Sequence, residues 1–269
     1  MMLDLQLALF GVMLALLGAG AAGWWLRSRL AVAPPAPSPD AALRQLVRQH
    51  HTFVGQLSHA LRTPLTALLA HAALARSPAS SAAIREASLL TLEHEAGRMA
   101  RLVRDLLELH RLEMGDDLPL IPTNAVIIAE EALASVLGLA DERAIELVFE
   151  AASALPRVLA HPDRLKQVWI NVLANALRYC EPPASITIHL SADTAGVLCR
   201  VADTGPGITA ADLPHVTEPL YRGRSMVEGS GLGLALVSQI LCRHAATLHI
   251  ESRTDPPTGT TVWWVLPYV

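Results

Sequence analysis

Residues 163–179 read Asp-Arg-Leu-Lys-Gln-Val-Trp-Ile-Asn-Val-Leu-Ala-Asn-Ala-Leu-Arg-Tyr. Wound into a helix, this stretch puts Leu165, Val168, Trp169, Val172, Leu173 and Ala176 on one face, the spacing of a buried stripe. Gln167, Asn171, Asn175 and Arg178 fall in a row on the opposite face. A merely solvated face would carry Glu, Lys and Arg, because asparagine is a mediocre helix former. Two amide oxygens in a row suit a hard cation, and a guanidinium beside them suits phosphate.

Short apolar runs surround this helix. Ile145–Phe149, Ser185–Leu190, Val197–Ala202, Thr247–Glu251 and Thr261–Leu266 are expected strands, several alternating apolar with polar residues. Further helices are expected over Ala125–Gly138 and Leu232–Arg243. This order of elements suggests an α+β sandwich, one mixed sheet under a helical layer. Two glycine-rich stretches interrupt it. Val201-Ala202-Asp203-Thr204-Gly205-Pro206-Gly207-Ile208 follows a strand, and Gly229-Ser230-Gly231-Leu232-Gly233-Leu234 runs into a helix. Asp203 can accept a hydrogen bond from an exocyclic amine, while Gly205 and Gly207 let the backbone approach a flat ring. Gly229, Gly231 and Gly233 leave backbone N–H groups to cradle phosphate at a helix N-terminus. Either stretch alone is weak evidence, because turns are rich in glycine anyway.

Upstream the pattern is purely helical. Leu57, Leu61, Leu65 and Leu68 form one stripe; after the turn Arg76–Ser81, Leu92, Ala96, Met99, Val103 and Leu106 alternate four and three apart. Two helices of about thirty residues joined by a short turn make an antiparallel hairpin whose apolar seam one hairpin cannot cover, so two copies are expected to form a four-helix bundle. Within the first helix stands Ser58-His59-Ala60-Leu61-Arg62-Thr63-Pro64-Leu65. With the leucine stripe buried, His59 and Thr63 one turn on face solvent, and Pro64 removes a helical hydrogen bond just past the imidazole. An ordinary surface histidine accounts for this stretch equally well when it is read by itself.

The segment Leu5–Leu26 holds no charged residue, and as a helix it would extend about 33 Å, enough to cross a bilayer core of about 30 Å. Trp24 and Trp25 close it and Arg27 and Arg29 follow, which places the rest of the chain in the cytoplasm. A secretory signal would carry a basic start and a small-residue cleavage site instead. With almost nothing before the span, no extracytoplasmic domain is expected. A stimulus would then arrive from within the bilayer, from another membrane sensor protein or from the cytoplasm. Ala31–Asp40, with four prolines, reads as an extended linker. Charged residues make up 17 % of the chain against about 25 % in ordinary domains. The net charge of −4 excludes the basic field of a nucleic-acid binder. Cys180, Cys199 and Cys242 are too few and scattered for a disulfide framework or a zinc site, and are expected as buried thiols.

Taken in order, SHALRTPL (58–65), NVLANALRY (171–179), DTGPGI (203–208) and GSGLGLALV (229–237) resemble the H, N, G1 and G2 boxes of bacterial sensor histidine kinases of two-component systems. The resemblance covers about Ala41 to Val269. It implies a multidomain α and α+β protein: a transmembrane anchor over 1–30, a linker over 31–40, a dimerisation and phosphotransfer hairpin over 41–114, and an α/β sandwich ATP-binding domain over 120–269. It further implies that ATP and Mg²⁺ are used, that His59 accepts the phosphoryl group, and that a response regulator receives it on an aspartate. Asn175 would hold Mg²⁺ with Asn171 beside it. Arg178 would stand near the phosphates, Tyr179 near the nucleotide and Asp203 at the adenine amine. Gly205 and Gly207 would form the adenine wall, and Gly229, Gly231 and Gly233 the phosphate lid. The expected setting is the cell inner membrane, as a single-pass homodimer.

Three departures from the family pattern stand out. Ala60 replaces the usual acidic residue after the histidine. Val216-Thr217-Glu218-Pro219-Leu220-Tyr221-Arg222-Gly223-Arg224 keeps Tyr221 and Arg222 but has Val216 and Leu220 where phenylalanines are usual. His244-Ala245-Ala246 replaces the common paired glycines. Ala60 favours a weak autokinase that acts mainly as a response-regulator phosphatase, a role linked in this family to the position of Thr63. An ATPase of the same superfamily, such as a chaperone or anti-sigma kinase, would lack the His59 hairpin. A non-enzymatic membrane scaffold would leave the asparagine row unexplained.

Overall fold

The computed structural model describes residues 39–115, 118–223 and 229–269, with side chains from Thr52 onward. The expected anchor, most of the linker and Arg224 lie outside these residues. Among the described residues no helix is long and apolar enough to cross a membrane. Thr52–Val269 forms one compact unit.

The hairpin is built from α1 (Pro39–Arg76) and α2 (Ala82–Met114). Helix α1 begins two residues inside the expected linker, with Pro39 in the first turn, where its missing N–H costs no helical hydrogen bond, and it is continuous through Pro64. Ser81 caps α2 by accepting the Ile84 N–H at 3.3 Å, and Gly115 ends it with φ +82°. His71 and the buried Ser88 meet across the hairpin at 3.4 Å. The expected seam is only partly covered within one chain. Leu57, Leu61 and Leu68 are half-buried, whereas Leu65, Ala96 and Val103 are exposed, along with Leu69 and Leu90. On the side of α2 that faces the rest of the chain, Leu102, Leu109 and Leu112 are buried.

Beyond the hairpin come β1 (Ile121–Thr123), α3 (Ala125–Glu142), β2 (Ile145–Ala151), β3 (Val158–Ala160), α4 (Pro162–Tyr179), β4 (Ala184–Ala192), β5 (Gly196–Asp203), α5 (Gly233–Arg243), β6 (His249–Arg253) and β7 (Gly259–Pro267). The main sheet has the order β2-β4-β5-β7-β6, parallel only between β2 and β4; β1 and β3 form a separate two-stranded pair. Alternation decides the faces. Ile186, Ile188, Leu190, Val197, Cys199, Val201, Trp264 and Leu266 are all buried, with Leu165, Val168, Trp169, Val172 and Leu173 of α4. Trp169 meets Trp264 edge-on at 4.7 Å. The expected strand at Thr247–Glu251 starts two residues later, because Ala245 adopts φ +54° and Ala246 is buried before the chain enters the sheet. Cys180 and Cys199 are buried free thiols, but Cys242 is exposed, correcting the expectation of three buried ones.

Candidate functional site

Helix α1 presents His59 to solvent, on the side away from its half-buried leucines. Thr63, one turn on, is also exposed and donates its hydroxyl to the His59 carbonyl at 3.3 Å. Both side chains line a cavity of about 600 Å³ whose far wall includes Arg222, Gly229 and Ser230. The hairpin side of the same cavity is completed by Gln56, Ala60, Pro64 and Arg98. Among the described residues no aspartate or glutamate lines it.

The row on α4 lies half-buried along the glycine-rich loop. A Cβ at Gly233 would stand 4.0 Å from Asn171 Cγ, and one at Gly229 would stand 3.3 Å from Arg178 Nη1. Among the described residues Asn171 Nδ2 is buried without a protein partner, an orphaned donor in a polar site. Asn175 follows one turn on, and Tyr179 ends the helix half-buried. Burial pulls the Arg178 guanidinium below its ordinary pKa, and Arg143, Arg222 and Arg101 add to this by crowding it with positive charge. A half-buried guanidinium among three other arginines is an arrangement that an anion relieves. Among the described residues no cluster of three His, Cys, Asp or Glu side chains could hold a metal. A cation here would therefore rest on an amide oxygen and on oxygens of a bound phosphate chain.

At the end of β5, Asp203 Oδ1 accepts the Gly205 N–H at 2.9 Å and the Thr260 N–H at 3.1 Å. Its other oxygen has no protein partner among the described residues, which fits reading of an exocyclic amine. Burial raises the Asp203 pKa and the two backbone donors oppose that rise. Cys180 flanks the same site, 3.3 Å from where a Cβ at Gly205 would stand. Its thiol is pushed up to about 11 by burial and by Asp203.

The glycines divide by cause. Gly207, at φ +77°, has the Arg253 carbonyl 2.0 Å from any added Cβ, and Gly231, at φ +70°, has the Tyr221 carbonyl 2.7 Å away. Close packing of the chain on itself, rather than approach to a flat ring, requires glycine at 207. Gly229 and Gly233 face the polar row. Sequence reasoning missed Asp212, which accepts from Tyr221 Oη and Thr209 Oγ1, each at 2.7 Å, and so fixes the loop carrying Arg222. It also missed Asp105 and Glu108 on α2. Ser230 Oγ donates to Asp105 at 3.4 Å, and Glu108 pairs with Arg164. Charges on a long helix look like a solvated face, so no local signal marks these two.

Two family descriptions match the chain: the phospho-acceptor domain of histidine kinases over residues 49–115, and the histidine kinase-, DNA gyrase B- and HSP90-like ATPase over residues 160–269. Sensor histidine kinase ZraS of Escherichia coli (strain K12) is 31 % identical over 95 % of this chain and 54 % of its own length. The chain thus spans about half the length of the curated relatives it matches. Full-length ShkA in complex with AMPPNP superposes with TM-score 0.62 at 28 % identity, covering 81 % of this chain and 46 % of that one. Histidine kinase ThkA in complex with response regulator TrrA shares the fold with TM-score 0.69 at 19 % identity, over 84 % of this chain and 64 % of that one.

Proposed function

The chain belongs to the bacterial sensor histidine kinases of two-component systems, and from that premise we propose that it phosphorylates its own His59 from ATP and passes the phosphoryl group to an aspartate of a response regulator. The observation that carries this reading is the single cavity shared by His59, Arg222, Gly229 and Ser230. Asp203 reads the adenine amine and Tyr179 flanks the nucleotide. Arg178, with Arg222, draws the phosphates to the loop of Gly229, Gly231 and Gly233. Asn175, with Asn171 beside it, would hold Mg²⁺, which when bound neutralises phosphate charge. The residues themselves work by positioning and by charge complementarity in a half-buried site.

The exposed apolar stripe of Leu65, Leu69, Leu90 and Val103 supports a homodimer, in which a second hairpin completes a four-helix bundle. Leu5–Leu26 anchors the chain in the inner membrane with its catalytic region in the cytoplasm. A reporter fused after Val269 is then active in membrane fractions, and a cleaved periplasmic product would refute the anchor.

Incubating the protein in detergent micelles with labelled ATP should give an acid-labile, alkali-stable phosphoryl group. His59→Gln should abolish it, and Asn175→Ala should abolish Mg²⁺-dependent ATP binding in a folded protein. Equal labelling of His59→Gln sinks the assignment. A second reading, a weak autokinase acting mainly as a phosphatase, is favoured by Ala60 in place of an acidic residue. A dephosphorylation rate for the partner that greatly exceeds autophosphorylation would select it.

A further inference from the structure

Helix α2 carries two carboxylates one turn apart, and both reach across to the ATP-binding half of the same chain. Asp105 accepts the Ser230 hydroxyl at 3.4 Å, and Ser230 Oγ in turn accepts the Leu232 N–H at 3.2 Å, so the phosphate loop is tied at its centre. Glu108 pairs with Arg164 in the first turn of α4, the helix that bears the asparagine row. That pair is shielded, with side chains 12 % and 29 % exposed. Leu102 and Leu109 are buried on the same side of α2, and Arg243 of α5 donates to the Gly115 carbonyl at 3.3 Å where α2 ends. These contacts hold Ser230 at the wall of the cavity that His59 lines.

We infer that Asp105 and Glu108 are positioning residues that dock the nucleotide loop on its own hairpin, so that His59 receives the phosphoryl group from ATP bound to the same chain. The inference rests on the autokinase reading above. In the step itself, a lone pair on an imidazole nitrogen of His59 forms the N–P bond. The bond from the γ-phosphorus to the bridging oxygen breaks, and ADP leaves with its electron pair. The proton of the other ring nitrogen passes to solvent, to which His59 is open. Neither Asp105 nor Glu108 touches the reacting atoms. Transfer within one chain keeps the Asp105 contact with the loop and the Glu108 contact with α4. A clamp of this kind acts on the rate of transfer and not on nucleotide affinity, because it fixes the geometry in which bound ATP meets the acceptor.

The test uses full-length chains co-expressed with two different tags. A heterodimer of His59→Gln and Asn175→Ala chains should show no label above either homodimer. Wild type paired with the doubly substituted chain should label itself at its ordinary rate per chain. Label on the Asn175→Ala chain, or a silent wild-type chain in the second pairing, overturns transfer within one chain. A wild-type homodimer that never labels sinks the autokinase reading itself, an outcome separable from the others. Glu108→Arg should lower kcat for autophosphorylation at least tenfold with KM for ATP unchanged, and Asp105→Ala should do the same. Adding Arg164→Glu to Glu108→Arg should restore kcat to within about threefold by re-forming the pair with its charges exchanged. An unchanged kcat in Glu108→Arg, or no recovery in the exchanged pair, overturns the positioning role.

Discussion

The backbone at Gly229 lies against the Arg178 guanidinium, whose Nη1 is 3.3 Å from where a Cβ at residue 229 would stand. This relationship ties the last turn of α4 to the glycine-rich loop. Arg178→Ala should weaken ATP binding about 10–100-fold, the worth of a charged hydrogen bond of about 1.5–3 kcal/mol. Gly229→Ala should cost less, because the end of a flexible side chain can give way. Titration with ATP, alongside melting curves that stay unchanged, checks both.

Gly207→Ala should behave in the opposite way. Its Cβ would meet the Arg253 carbonyl, and its φ of +77° strains any L residue. The protein should lose about 1–3 kcal/mol of stability, read as a lower melting temperature before any change in nucleotide affinity. If Gly207→Ala melts normally and only ATP binding falls, the glycine serves the ring and not the packing.

The different behaviour of these two glycines shows where sequence reading stops. Spacing alone put Asn171, Asn175 and Arg178 in one row, because 3.6-residue periodicity fixes relative direction on a helix. The same reasoning gave five strands and five helices in order. It missed β1 and β3, which have three residues each and too little alternation to register. It could not sort the glycines, since whether a missing Cβ faces a ligand or another strand is decided by distant chain. Nor could it find Asp105 and Glu108, whose partners lie 125 and 56 positions away in sequence, at Ser230 and Arg164.

His244, where the family commonly has glycine, is buried; its Nε2 accepts the His161 N–H at 3.0 Å and its Nδ1 faces the Ile240 carbonyl at 2.7 Å. The neutral ring therefore joins the end of α5 to the start of α4. Burial lowers its pKa in the folded state, and the neighbouring His161 adds to this, while the Ile240 carbonyl opposes it. The unfolded state thus binds the proton more readily. This contribution to stability is complete above the unfolded value of about 6.5 and is lost as pH falls below it. Melting temperature should fall between pH 7.5 and pH 5, and His244→Gln should show a shallower fall. Parallel curves for the two proteins would remove His244 as the cause.

Thr63 is exposed one turn from His59 and donates its hydroxyl proton to the His59 carbonyl, so its oxygen can still accept a hydrogen bond. In that position it can orient a water for attack on a phosphorylated aspartate of the partner. Thr63→Ala should slow dephosphorylation of the response regulator about tenfold or more, with autophosphorylation spared. Equal loss of both activities would indicate a disturbed helix instead.

Ala60 bears on the balance between these activities. A carboxylate beside the acceptor histidine would take up the proton released as the N–P bond forms, and a positioned general base is typically worth about 10²–10⁴-fold in rate. Here the residue is alanine, and among the described residues no aspartate or glutamate lines the cavity that His59 shares with Arg222 and Ser230. Asp105 lies behind Ser230 and is engaged by its hydroxyl. With no carboxylate at position 60, autophosphorylation should be slow. Ala60 is half-buried beside the cavity, so a glutamate there has room to extend into it. Ala60→Glu should raise the single-turnover rate at saturating ATP at least tenfold, with ATP affinity unchanged because no nucleotide contact is altered. An unchanged or lower rate would mean that the missing carboxylate is not the limiting feature and that some other residue serves His59 as the base.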